Sequence, residues 1–411
     1  MEHENTPTFA AQSIEEIVKE KFSTAYSIKL LWKEKEPFTT LFEALREARR
    51  LICLEFYIFR NDETGNELAE ILKERSRNGV QVYVLYDHFG SFGTPRSFWD
   101  SMKKAGIKIA ASRPFKWISP FHYVYRNHSK LIVIDDQKAF TGGLNIANEY
   151  SGFHLRLKGR KWRDTGIMLE GPIVHQLCIS FSKMWLTWAR DESAGRQKTG
   201  SKSMPHDSQP FTLDALDPIT LHTQRSTLDA IPAMPIFINS AKGRRKMRRL
   251  LYYSINHSKK SIALTTAYFT PSRRMVETLE QSVARGVRLR LLVPGITDVP
   301  AAAYAGRAFF ARLLRAGVEI YNYGGEMLHA KTSLFDECWC IIGSTNLDFQ
   351  SLRYNDEGNV GILDMNFASK MNDLFEEDIK HSTKIDAVKW SSRPLSEKIK
   401  EFFFSLFRRR L

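Results

Sequence analysis

The sequence predicts a duplicated α/β fold. Each of two similar units holds a mixed, mostly parallel sheet flanked by helices, with a pseudo-twofold site between the units. Three observations predict it. Apolar strand-like runs alternate with amphipathic helical stretches. The same order of elements recurs at about half the chain length. One stretch also occurs twice: His128-Ser129-Lys130-Leu131-Ile132-Val133-Ile134-Asp135, closing at Gly142-Gly143-Leu144-Asn145, and His329-Ala330-Lys331-Thr332-Ser333-Leu334-Phe335-Asp336, closing at Gly343-Ser344-Thr345-Asn346. Both copies read H-x-K-x4-D-x6-G-[GS]-x-N, agreeing at five positions and in every gap.

Taken in order, residues 1–25 read as a mobile tail and a short helix N-capped by Ser13. Residues 38–50 have helical spacing, and 51–59 are an apolar strand run. A helix over 66–78 ends at Gly79, which suits a left-handed cap. Strand 80–86, helix 95–104 and strand 107–111 follow. After the first motif, 172–190 is an amphipathic helix carrying Trp185 and Trp188. Residues 191–217, rich in Ser, Lys, Gly and Pro, form the linker, with a boundary near 200–230. The second unit repeats the order: helix 242–255, strand 261–269, helix 273–285 closed by Gly286, strand 287–293, helix 304–315 and strand 318–323. Residues 394–411 form a helix with Leu395, Ile399, Phe402, Phe403, Leu406 and Phe407 on one face and basic residues around the rest. The units are thus 1–25 (tail), 26–200, 201–232 (linker), 233–390 and 391–411 (basic amphipathic helix).

Composition narrows the function. At 411 residues the chain exceeds one core of usual size, and 43% hydrophobic residues with 27 Phe exclude a disordered chain. A net charge of +14 favours an anionic partner: nucleic acid, an anionic membrane surface or a phosphate-bearing substrate. The four cysteines fit neither a zinc site nor a disulfide framework; Cys338 and Cys340 read as alternate residues of one strand. The N-terminus lacks the pattern of a secretory signal. No apolar run approaches the ~20 residues needed to span a bilayer.

The repeated motif carries the chemistry. In a strand, side chains alternate faces, so His128 and Lys130 point the same way, as do His329 and Lys331. The motif positions grouped as catalytic are His128, Lys130, Asp135, His329, Lys331 and Asp336. Within that group parity turns Asp135 and Asp336 to the other face, a scaffold role. Two ammonium groups with the amides of Asn145 and Asn346 form a cage for a tetrahedral oxyanion. One imidazole can attack phosphorus while the other protonates the leaving oxygen. Each imidazole needs a carboxylate on its other nitrogen, and Asp164 and Glu357 follow the two motifs. The Lys pair supplies positive charge, so the chemistry calls for no metal and no cofactor.

These residues resemble the phospholipase D superfamily, whose signature is a duplicated H-x-K-x4-D motif. The stretches Glu55-Phe56-Tyr57-Ile58-Phe59, Thr141-Gly142-Gly143-Leu144-Asn145, Trp162-Arg163-Asp164-Thr165, Ala267-Tyr268-Phe269-Thr270-Pro271 and Gly343-Ser344-Thr345-Asn346-Leu347-Asp348 are similar to bacterial cardiolipin synthases, over about residues 27–190 and 233–400. The resemblance implies a metal-independent transphosphatidylase acting on phosphatidylglycerol, with His128 as nucleophile, His329 as acid, and the orienting carboxylates crossing between halves, Glu357 to His128 and Asp164 to His329. It also implies a peripheral protein at the cytoplasmic face of a bacterial membrane, of the shorter type without transmembrane helices, with no nucleic-acid partner. Ser129 departs from the family, where a basic residue is common. Two candidate membrane contacts are the C-terminal helix, for which packing on the domain is an equal reading, and the aromatic, basic stretch 114–126, for which a well-packed loop is the stronger one. The alternatives are a hydrolase on the same fold, a nuclease of the same superfamily and a non-catalytic lipid-binding protein.

Overall fold

The computed structural model describes residues 8–115, 125–151, 161–197 and 230–408. The stretch 116–124, most of the linker and the final three residues lie outside the described residues.

Among the described residues, each half is built on one main sheet. The first has seven strands in the order Ser27–Leu31, Gly166–Glu170, Lys138–Gly142, Leu131–Ile134, Leu51–Phe56, Gln81–Asp87, Lys108–Ser112. The second has nine: Ser23–Ala25, Ile231–Ile238, Glu357–Leu363, Trp339–Gly343, Thr332–Phe335, Ser261–Thr265, Arg288–Pro294, Glu319–Tyr323, Ser382–Lys384. The duplication is plain in this layout: both motif strands sit beside the first strand of a three-stranded parallel block.

The expectation of mostly parallel sheets is corrected. Within these two sheets only that block is parallel and the other pairings are antiparallel; the short strands Trp162–Arg163 and Met327–Leu328 pair in parallel between the halves. Neighbouring strands of the block are joined by helical crossovers, which parallel pairing requires. After the motif the chain returns through a tight turn, Asp135–Asp136 in one half and Asp336–Glu337 in the other, all four at positive φ. A turn that short can join only antiparallel neighbours.

Other elements shift by physical causes. The first helix, Ala11–Val18, starts after Ala10, so Ser13 lies inside it and is not its cap. The stretch expected as one helix over 304–315 is two, Pro300–Arg307 and Phe310–Arg315, the first entered through a proline. The helix Ile173–Gln197 continues into the first residues assigned to the linker.

Burial organises the molecule into three cores. Two lie on the outer faces of the sheets, under the crossover helices. The third is shared. It joins Cys53, Leu131 and Val133 of the first sheet to Leu334, Ile342 and Val360 of the second, with residues of helices Ile173–Gln197 and Met365–Lys380 between them. Such a core holds the halves in fixed relation through the hydrophobic effect, and packing at interior density leaves little slack.

The supposed tail belongs to this architecture. Phe9, Ile14 and Val18 are buried in the outer core of the second half, and Ser23–Ala25 forms the edge strand of the second sheet against Ile231–Ile238. The chain therefore begins in the second half before it builds the first.

Candidate active site

The two motifs meet where the halves join, through matching backbone links. His128 N–H donates to Asp356 O at 2.8 Å, and His329 N–H donates to Arg163 O at 2.7 Å. Each histidine is thus hung from the residue that precedes the other half's carboxylate. The side chains follow: His128 Nδ1 lies 3.1 Å from Glu357 Oε2, and His329 Nδ1 lies 2.7 Å from Asp164 Oδ2. Nδ1–H donation to a carboxylate leaves the Nε2 lone pair available.

All six groups are nearly closed off from water: His128 is 8% exposed and His329 3%, with Lys130, Lys331, Asp164 and Glu357 at 3% or less. Burial, followed by the Lys130 charge, lowers the pKa of His128. Burial and then Lys331 push His329 down to about 3. The surroundings of both imidazoles thus favour the neutral ring. Burial lowers Lys130 to about 7 and Lys331 to about 8, against partial support from the site carboxylates. Burial raises Asp164 and Glu357, but the neighbouring lysines and histidines outweigh it and hold both carboxylates below their usual range. Each lysine's charge reaches the other half's histidine, so the six groups form one electrostatic unit.

Lys130 Nζ donates to His128 O at 2.6 Å. Lys331 Nζ bonds His329 O and lies 2.7 Å from His329 Nδ1, competing there with Asp164. Aromatic rings wall the site. Tyr57 stands edge-on to His128 with centroids 4.9 Å apart. Trp162, Tyr150 and Tyr268 surround His329 at 5.0, 5.5 and 6.4 Å.

Asp135 and Asp336 are outside this cluster, so their grouping with the catalytic positions is corrected. Asp135 accepts the backbone N–H groups of Arg49, Arg50 and Leu51 at 2.8 Å each. Asp336 does the same for Lys259, Lys260 and Ser261. Both cap the entry to the first parallel strand.

Asn145 and Asn346 are at the site, with most of their capacity committed to it as scaffold. Asn145 Oδ1 accepts from Ile58 N–H and its Nδ2 donates to the Tyr150 hydroxyl. Asn346 Oδ1 accepts from the N–H groups of Ala267 and Tyr268. The amide N–H groups are what each can still offer to an anion.

Sequence reasoning missed several supporting residues. Ser344 Oγ donates to Glu357 Oε2 at 2.5 Å, whereas the matching Gly143 packs so closely that a Cβ would lie 2.1 Å from Asp164 Oδ1. The Gly/Ser difference between the copies therefore tracks the carboxylates. Glu55, buried and pushed up to about 7 by that burial, accepts from Asn127 Nδ2 at 2.8 Å. The signal was available: a carboxylate inside an otherwise apolar strand.

Comparison with known proteins agrees with this geometry. The family model described as "Cardiolipin synthase, PLD-like domain" matches residues 41–185 and 251–379, one segment around each motif. The chain belongs to this family. It is 30% identical to the probable cardiolipin synthase YwiE of Bacillus subtilis over 94% of this chain and 72% of that protein. It is 31% identical to cardiolipin synthase A of Pseudomonas putida over 88% of this chain and 70% of that one. In fold it is similar to the phosphatidylserine synthase of Haemophilus influenzae, with a TM-score of 0.72 at 15% identity, covering 98% of this chain and all of the other. As a member of the family the chain is a phosphatidyltransferase of the phospholipase D superfamily.

Proposed function

We propose that the chain transfers a phosphatidyl group from one phosphatidylglycerol to a second, releasing glycerol, by way of a phosphohistidine. The observation that carries this reading is the pair of crossed imidazole–carboxylate couples, buried together with two lysines. His128 Nε2 attacks phosphorus, and the P–O bond to the terminal glycerol breaks. His329 Nε2 gives its proton to the departing oxygen. The acceptor hydroxyl then returns a proton to His329 as its oxygen attacks phosphorus and expels His128. Lys130, Lys331 and the amide N–H groups of Asn145 and Asn346 hold the phosphate oxygens.

His329 must be protonated to act as an acid, and burial with Lys331 opposes that in the free enzyme. A phosphodiester brings a negative charge to the lysines. Lys331 then has a better partner than His329 Nδ1, and Asp164 supports the imidazolium. Binding of substrate itself thus arms the acid. The low exposure of both histidines supports a lipid hydroxyl over water as acceptor, because the site excludes water.

The reading includes a setting: a peripheral enzyme at the cytoplasmic face of a bacterial membrane with an anionic surface. The positive net charge supports it, and no helix among the described residues is long and apolar enough to cross a membrane.

Incubation with phosphatidylglycerol vesicles should yield cardiolipin and glycerol in equal amounts. Phosphatidic acid as the sole lipid product would refute the transferase reading in favour of a hydrolase. His128→Ala should abolish both turnover and covalent trapping of phosphate; full activity in that variant would remove the nucleophile from His128.

A further inference from the structure

The helix Leu395–Leu406 is mounted with its polar side inward. Glu401, 2% exposed, pairs with Arg307 at 3.3 Å and also with Arg393. Glu397 pairs with Arg307 at 3.3 Å, and Phe404 stacks on Tyr304 with centroids 5.8 Å apart. The opposite side carries Leu395, Ile399, Phe402, Phe403 and Leu406, and Phe407 continues it; these six are 46% to 71% exposed. A helix that only covered a domain would bury this stripe and expose the glutamates. Of the two placements left open by the sequence, packing of the Phe face on the domain is thereby excluded.

A second apolar patch stands in the other half. Phe89 and Phe92, 48% and 76% exposed, follow the strand Gln81–Asp87. Asp87 fixes that turn, accepting from the N–H groups of Phe89 and Gly90, and its other oxygen accepts from Asn127 N–H, beside His128. The repeat places the helix Pro300–Arg307 at the same position, after the strand Arg288–Pro294, and the C-terminal helix packs on it. Tyr304 and Arg307 of that helix line a cavity of about 300 Å³ that Tyr268, the neighbour of His329, also lines. Each patch is thus linked to the histidine of its own half, through Asp87 and Asn127 in the first and through the helix Pro300–Arg307 and Tyr268 in the second.

We propose that these two patches are a single bilayer footprint, which seats the protein on an anionic lipid surface. The occupant follows from the exposed faces and the charge. The patches come from separate halves, each linked to its own half's histidine, and two separate exposed apolar patches suit an extended partner. The net charge of +14 matches an anionic surface. Aromatic side chains on basic elements are suited to the headgroup layer. The proposal rests on the phosphatidyl-transfer reading for the purpose of the footprint, though not for its existence.

The test is co-sedimentation of the full chain with vesicles of phosphatidylglycerol and with vesicles of phosphatidylcholine. Wild type should bind the former more tightly. Phe402→Ser combined with Phe403→Ser should weaken that binding roughly a hundredfold, and Phe92→Ser about tenfold. Turnover of a short-chain, monomeric phosphatidylglycerol should be unchanged in these variants while turnover on vesicles falls. Since the substituted side chains are exposed, an unchanged unfolding midpoint verifies folding. Vesicle binding equal to wild type in the variants would overturn the proposal. So would sedimentation showing a wild-type dimer that Phe402→Ser with Phe403→Ser dissolves, because a second copy would then cover the face. Loss of vesicle binding in the variants, with no turnover of either substrate even by wild type, would leave the footprint standing and refute the transferase reading.

Discussion

At the scale of single residues, the site is governed by two buried lysines whose charge burial opposes. Lys130 is lowered to about 7 and Lys331 to about 8, so in the free enzyme both lose protons as pH rises through 7 to 8. On the proposed reading the protonated forms bind the phosphodiester, and kcat/KM should therefore fall with rising pH across that window. A bound phosphate anion favours the charged lysines, so the alkaline limb of kcat should lie at higher pH than that of kcat/KM. A pH–rate series on short-chain phosphatidylglycerol measures both limbs; coincident limbs would mean that the phosphate does not contact the lysines. The histidines and lysines were legible because the motif repeats. Ser344 was not, since its importance comes only from the Glu357 carboxylate it contacts in the fold, while Glu55 was marked as a carboxylate inside an apolar strand without its partner Asn127. The aspartates show that a repeated residue need not be chemical: strand parity alone separated Asp135 from His128.

At the scale of elements, those aspartates are the clearest test of scaffold against catalysis. Asp135 ties the turn at the far end of the motif strand to three successive N–H groups at the start of the neighbouring strand. Removing it leaves those donors without their carboxylate, partly compensated by water because Arg49 and Arg50 are exposed. Asp135→Ala should cost about 2–4 kcal/mol on the scale of hydrogen bonds to charged groups, read as a lower urea midpoint. At a temperature where the variant is folded, kcat should stay within severalfold of wild type. A variant of unchanged stability with lost activity would return Asp135 to the chemistry. Element types were largely readable from apolar periodicity and from Gly79, Gly286 and the second-copy order. Strand direction was not, because an apolar run looks the same in parallel and antiparallel neighbours, and only the short Asp135–Asp136 and Asp336–Glu337 turns distinguish them.

At the scale of the whole molecule, the halves are interlocked, and neither holds a complete site. His128 depends on Glu357, which opens the strand Glu357–Leu363. That strand pairs with Ile231–Ile238, whose other neighbour is the N-terminal strand Ser23–Ala25. The polar opening of the sequence concealed this link: Ile14 and Val18 mark one face of a short helix, but the partners of that face and of Phe9 lie more than two hundred residues away. Residues 9–25 therefore support the carboxylate that faces His128 although they carry no motif. Phe9, 1% exposed, packs against Tyr253 and Phe335 with centroids 6.2 and 6.3 Å apart. Phe9→Ala should cost about 3–5 kcal/mol, lowering the urea midpoint while activity persists below the transition. Deletion of residues 1–25 should go further. It uncovers the outer core of the second half and leaves Ile231–Ile238 as an open edge, so turnover should vanish although both histidines, both lysines and both carboxylates are present. A deletion variant that kept the wild-type midpoint and rate would show the second half to be self-sufficient, and the coupling from the N-terminal strand through Glu357 to His128 would fall with it.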